Sequence, residues 1–324
     1  MPHKLLGIIS DIHYAGPAER ARGNDYEWRD LANPFLKLLV RFHRRWLWLR
    51  NPLDQNHLLD RLVENGQPFD YVIANGDYSC DSLNVGLSDD ASFESARECL
   101  HKLRTKFPGR VRAIIGDHEL GKVSLVGGRG GMRLASWRRT IGELGIEPFW
   151  QFEIGSYVLI GVSSSVLALP AYATDLLPSE TPEWEQLRAG LLQQLRRAFC
   201  ALKPDQRVLL FCHDPTALPF LAREEAVQKR LPQIEATVIG HLHTNLILWK
   251  SRLLAGMPRI TFLGHTAKKL STALNEARLW RPFNVRLCPA IAGVELLKDG
   301  GYLVAELTPD ASKPLAFRFC SMER

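Results

Sequence analysis

The chain has 324 residues, 46% of them hydrophobic and 23% charged, which allows a sizeable core and excludes a disordered or fibrous chain. Its formal net charge of +6 favours anionic partners, whether phosphates, nucleic acid or an anionic membrane surface, without choosing among them. The six cysteines form no C-x-x-C pair, no apolar stretch is long enough to span a bilayer, and MPHKLLGIISDIH carries no signal-peptide pattern, so a reducing cytoplasm is the simplest expectation.

Along the chain, short apolar runs alternate with amphipathic segments, which predicts an α/β architecture in one domain, 1–324. The runs 5–9, 71–74, 113–115, 158–162, 208–211 and 237–239 read as buried strands; 260–264, 294–297 and 301–307 follow, with a hairpin predicted around Asp299-Gly300-Gly301. Residues 55–65, 91–106 and 183–202 have helical spacing. Two stretches read as insertions, 14–54 and 120–148. The second contains GGRGG (127–131), which lacks the phosphate-loop pattern and reads as a loop.

Five of the strands end in residues that ligate metals. Ser10-Asp11-Ile12-His13 follows the first, Asn75-Gly76-Asp77 the second, Gly116-Asp117-His118-Glu119 the third, Cys212-His213-Asp214 a later one, and Gly240-His241-Leu242-His243 the last. Any one of these clusters could be a polar turn. Together they place five of the ten histidines at strand ends, where parallel α/β sheets bind ligands. So many ionisable groups at one sheet edge would be costly without a cation.

In this order, D-x-H, G-D, G-D-H-E, H and G-H-x-H resemble the calcineurin-like metallophosphoesterases, over residues 11–243. The resemblance implies a four-layer α/β/β/α sandwich of two mixed sheets with a binuclear centre at one edge. It implies that Asp11, His13 and His243 hold one divalent metal, that Asp77 bridges, and that Asp117, His213 and His241 hold the second. His118 is then the catalytic residue beside the leaving group. Mixed oxygen and nitrogen ligation suits Mn, Fe, Zn or Co. Two such ions clamp the attacking and leaving oxygens and activate the water between them. The expected reaction is hydrolysis of a phosphoester or pyrophosphate bond. The alternatives are a phosphodiesterase or nuclease and a non-catalytic membrane-associated scaffold; no nucleic-acid module is present, and none is expected as partner.

Two positions depart from the pattern. Asp117 stands where the resemblance has Asn, and adds about one negative charge next to an anionic substrate. Cys80 stands where an acid often orients the histidine, and Asp81, one residue later, could substitute. Cys80 and Cys212 read as buried, unreactive thiols. Arg129 and His265 are further candidates for substrate contact.

The segment NPFLKLLVRFHRRWLWLRNP (33–52) spaces Phe35, Leu38, Leu39, Phe42, Trp46 and Leu49 helically, interleaved with Lys37, Arg41, Arg44, Arg45 and Arg50. Such a helix either packs on the core or lies in a membrane interface. Because it leaves directly after the D-x-H residues, it could cap the centre, as the helical cap does in the UDP-diacylglucosamine pyrophosphatases. That suggests a phosphorylated small-molecule or lipid substrate, nucleotide-linked or lipid-linked, and a protein peripheral to the inner membrane face.

Overall fold

A computed structural model describes residues 3–124, 128–262, 265–308 and 314–322. Its strands are β1 (Lys4–Ile9), β2 (Tyr71–Ala74), β3 (Val111–Ala113), β4 (Phe149–Ile154), β5 (Tyr157–Val162), β6 (Arg207–Cys212), β7 (Ile234–Ile239), β8 (Val285–Leu287), β9 (Gly301–Leu307) and β10 (Phe317–Ser321). The helices that matter below are α1 (Pro34–Trp46), α2 (Asn56–Asn65), α3 (Asp90–Lys106), α4 (Asp117–Leu120), α5 (Leu134–Gly142), α6 (Thr181–Cys200), α7 (Asn245–Leu253) and α8 (His265–Glu276).

The strands form two five-stranded sheets, in the orders β10-β9-β1-β2-β3 and β4-β5-β6-β7-β8. β1, β2 and β3 run parallel, as do β5 to β8; β9, β10 and β4 pair antiparallel, so both sheets are mixed. Strand alternation builds the layers. Leu6 and Ile8 of β1, Ile73 of β2, Leu159 of β5, and Leu209 and Phe211 of β6 share the core between the sheets. The intervening residues turn outward: Val72 and Ala74 join Leu58, Leu62, Leu100 and Leu103 of α2 and α3, while Val208 and Leu210 join Trp184, Leu191 and Phe199 of α6. Covered on both faces, the central strands read as continuous apolar runs. The result is the expected four-layer sandwich, with the parallel strands of both sheets delivering the motifs.

The structure corrects several local expectations. β3 is Val111–Ala113, so Ile114 and Ile115 already belong to the turn that follows. Residues 294–297 form a turn, tied to the end of α1 by Glu295 N–H donating to the Trp48 carbonyl at 2.6 Å. The hairpin partner of β9 is β10, outside the predicted pair. Residues 260–262 are not a strand, and Leu263 and Gly264 lie outside the described residues.

α1 starts where Pro34 and the Asn33 side chain predict: Asn33 Oδ1 accepts from the N–H of Phe35 (3.0 Å) and Leu36 (3.1 Å). Its apolar face does not pack inward. No residue of α1 is buried, and Phe35, Leu38, Phe42 and Trp46 are more than half exposed. Of the six apolar positions read from the spacing, only Leu49, beyond the helix, enters the core.

Candidate metal centre

Each motif leaves its strand through a sharp polar turn. Asp11, His13, Asp77, His241 and His243 all have positive φ, between 48° and 60°, a region that costs non-glycine residues about 1–3 kcal/mol each and is concentrated at functional sites. The neighbouring glycines give the backbone room. A Cβ on Gly116 would lie 2.6 Å from the Asp77 nitrogen, and one on Gly240 would lie 2.5 Å from Asp11 Oδ2. Glu119 locks the turns together: Oε2 accepts from the N–H of Asp77 (3.0 Å) and Gly116 (2.8 Å), and Oε1 from that of Tyr78 (2.8 Å).

Seven side chains from five strand ends thereby meet. Asp11, His13 and His243 present ligand atoms within 4.8 Å of one another; so do Asp117, His213 and His241, and Asp11, Asp77 and His213. Backbone carbonyls orient the rings. His13 Nδ1 lies 3.2 Å from the Ser79 carbonyl and His213 Nδ1 2.6 Å from the Asn75 carbonyl, which leaves Nε2 of each facing the cluster. His13 Nε2 and His243 Nε2 face each other at 3.4 Å. Asp117 Oδ1 lies 3.1 Å from His213 Nε2 and 2.9 Å from His241 Nδ1. Convergent lone pairs on neutral nitrogens and buried carboxylates fit cations better than they fit one another.

The electrostatics point the same way. Burial opposes charge on His213, but Asp77 and Asp11 prevail and hold it well above its ordinary value. Burial likewise opposes His241, and Asp117 lifts it to about 9. Burial pushes Asp11 up, while burial and His13 push His243 down.

His118 stands beside this group. Its Nδ1 is 2.9 Å from the Cys80 carbonyl, its Nε2 is 3.7 Å from Asp77 Oδ2, and burial depresses it to about 3. The Cys80 backbone therefore orients this histidine. Asp81 does not: its Oδ1 accepts from the N–H of Val85 (3.0 Å) and Gly86 (2.9 Å), so it shapes its own loop. Cys80 and Cys212 are buried, with thiols pushed up by burial. Arg129 is committed elsewhere, donating to Asp30 Oδ2 (2.9 Å) and the Tyr26 carbonyl (2.7 Å), and so ties residues 120–148 to 14–54. His265 is the first residue of α8, and its side chain lies outside the described residues.

The sequence reading missed three residues at the site. Glu119 was visible in the motif, without a role. Lys122 Nζ lies 2.5 Å from Asp117 Oδ2. The ring of Trp48, just past α1, lies tilted against that of His243 with centroids 4.7 Å apart, and His43 stacks on it at 5.9 Å. Helical periodicity gave no signal for Trp48, because it lies beyond the helix end.

Among the described residues no helix is long and apolar enough to cross a membrane. No curated protein sequence matches the chain. Among solved structures, a dimetal phosphatase from Danio rerio is similar in fold, with 15% identity and a TM-score of 0.51, over 98% of this chain and 95% of that one. A phosphopantetheinyl hydrolase from Mycobacterium tuberculosis aligns with 16% identity and a TM-score of 0.36, over 74% and 82%. The family model of the calcineurin-like phosphoesterases matches residues 5–245, a span that holds all seven converging side chains and His118. The chain belongs to the calcineurin-like phosphoesterase family and is a metal-dependent hydrolase of phosphoester bonds.

Proposed function

We propose that this hydrolase acts on the phosphate of an amphiphilic, lipid-linked substrate, taken from an anionic membrane surface to which the protein binds peripherally from the cytoplasmic side. In this reading Asp11, His13, Asp77 and His243 hold one divalent cation, and Asp77, Asp117, His213 and His241 a second, with Mn, Fe, Zn and Co as the candidates. When bound, two such ions would polarise the phosphoryl group and make a water molecule acidic enough to attack phosphorus.

The chain's own residues do the rest. The carbonyls of Ser79 and Asn75 keep His13 and His213 in the tautomer that presents Nε2. Glu119 holds the Asp77 turn. His118 keeps Nδ1–H on the Cys80 carbonyl, and its Nε2 would take a proton from solvent once a phosphate is bound and pass it to the departing oxygen. Burial leaves that nitrogen proton-free in the free site; the negative charge of a bound phosphate opposes this effect.

The observation that carries the substrate assignment is α1. An exposed apolar face with Lys37, Arg41, Arg45 and Arg50 around it suits the boundary between acyl chains and anionic headgroups. Beside it runs a groove of about 630 Å³, lined among others by Trp28, Leu38, Phe42, Arg41 and Arg45. The helix leads directly to Trp48 and hence to His243.

Vesicle flotation tests this. The protein should float with phosphatidylcholine vesicles containing phosphatidylglycerol and stay behind with phosphatidylcholine alone. Phe42→Glu with Trp46→Glu should abolish flotation and reduce turnover of phosphatidic acid in those vesicles. A wild-type protein that fails to float would refute the membrane assignment.

A further inference from the structure

Three carboxylates, Asp11, Asp77 and Asp117, converge on the centre, and all three are buried. Among the described residues Lys122 is the one lysine or arginine in ion-pair contact with any of them. The contact is built by the fold. α4 is followed by Gly121, whose φ of 89° turns the chain back, and a Cβ there would lie 2.6 Å from the Val85 carbonyl carbon. The turn brings Lys122 over the carboxylate five residues earlier. Asp117 then divides its two oxygens, Oδ1 toward His213 and His241 and Oδ2 toward Lys122 Nζ at 2.5 Å.

The charge count has a chemical consequence. Three carboxylates and one ammonium leave two net negative charges. With neutral imidazoles, and before the attacking water gives up its proton, two divalent cations would bring the site to two net positive charges at the stage when the substrate binds. A phosphomonoester dianion cancels that charge, whereas a phosphodiester, with a single negative charge, leaves one positive charge over. Without Lys122 the loaded site would carry one net positive charge and the match would move to the diester.

We infer that Lys122 is a specificity-determining positioning residue: by pairing with the outer oxygen of Asp117 it neutralises that ligand's charge and sets the site for a dianionic, terminal phosphoryl group over a monoanionic diester. This deepens the two-cation reading above and rests on it. Lys122 also accounts for how a carboxylate is tolerated at position 117, where an extra negative charge would otherwise repel the substrate.

The test compares the wild type with Lys122→Met, Lys122→Arg, Asp117→Asn and the double variant Asp117→Asn/Lys122→Met, using the full chain reloaded with Mn²⁺. Two readouts are taken: kcat/KM for p-nitrophenyl phosphate and for bis(p-nitrophenyl) phosphate, and Mn²⁺ stoichiometry and affinity by calorimetry. Lys122→Met should keep two Mn²⁺ and lower the monoester-to-diester ratio about tenfold. Lys122→Arg should hold the ratio, and the double variant should recover it, because it removes the charge together with its partner. Equal loss on both esters, or an unchanged ratio, overturns the inference. If the wild type turns over neither ester, phosphatidic acid in vesicles replaces them, and inactivity there as well refutes the functional reading separately. Mn²⁺ affinity then decides: Lys122→Met should tighten binding about tenfold and the double variant undo it, and no change in affinity overturns the pairing.

Discussion

Loading the centre with metal should release protons. In the metal-free cluster Asp117 holds His241 at about 9 against the opposing effect of burial, and Asp77 and Asp11 hold His213 well above its ordinary 6.5. At pH 7 the His241 ring is therefore cationic and must lose a proton to ligate, and His213 is shifted in the same direction. For His241 the gap between about 9 and pH 7 corresponds to about a hundredfold in apparent metal affinity. Calorimetry of Mn²⁺ binding in two buffers of different ionisation heat should therefore show net proton release near pH 7, to which His241 contributes about one proton. Apparent affinity should rise with pH and level off above about 9. The sign for stability is opposite in the metal-free protein. The His213 and His241 values lie above those of the unfolded chain, so the stabilisation these two rings contribute is complete below about pH 6.5, and that of His241 is lost as pH rises through about 9. Metal-free protein should accordingly melt at a lower temperature at pH 9 than at pH 6. Metal binding at pH 7 with no proton release would refute the reasoning, since it would mean that the carboxylates hold no protons on these rings.

Three further perturbations probe the same site. Gly240→Ala places a methyl 2.5 Å from Asp11 Oδ2, so the protein should lose bound metal, measured as Mn²⁺ per chain after dialysis. His118→Ala should keep both ions yet lose about 10²–10⁴ in kcat, and chelation should abolish wild-type turnover until Mn²⁺ is restored; an active His118→Ala would remove the histidine from the proton-transfer role. Glu119→Gln leaves at least one of three buried backbone N–H groups without an acceptor, which should cost ~1–3 kcal/mol in urea unfolding; unchanged stability would show that the turns hold without it.

The strands that deliver the site were legible because they are buried on both faces and end abruptly in polar triplets, as YVIA does before Asn75-Gly76-Asp77. The strands that escaped notice are peripheral. β10 alternates weakly, with three of its five residues exposed, and β8 is three residues long. The run 294–297 reads as a strand by composition, yet Leu296 and Leu297 are exposed and the backbone turns toward α1. For α1 the periodicity identified the apolar stripe but not its direction, since a helical pattern says which residues share a face and not what covers them.

Order and spacing of the motifs by themselves indicated an α/β fold whose strand-end clusters meet at one sheet edge, because parallel strands bring their carboxyl ends together; the four-layer sandwich and the set Asp11, His13, Asp77, Asp117, His213, His241 and His243 came from the resemblance that those motifs carry. Only the tertiary structure decided that Lys122 returns onto Asp117, that the Trp48 ring lies against His243, and that Asp81 and Arg129 are occupied elsewhere. Those are contacts of side chains across turns and between segments remote in sequence. They depend on the positive φ of Gly121 and on where α1 leaves its apolar face, and a local pattern encodes neither.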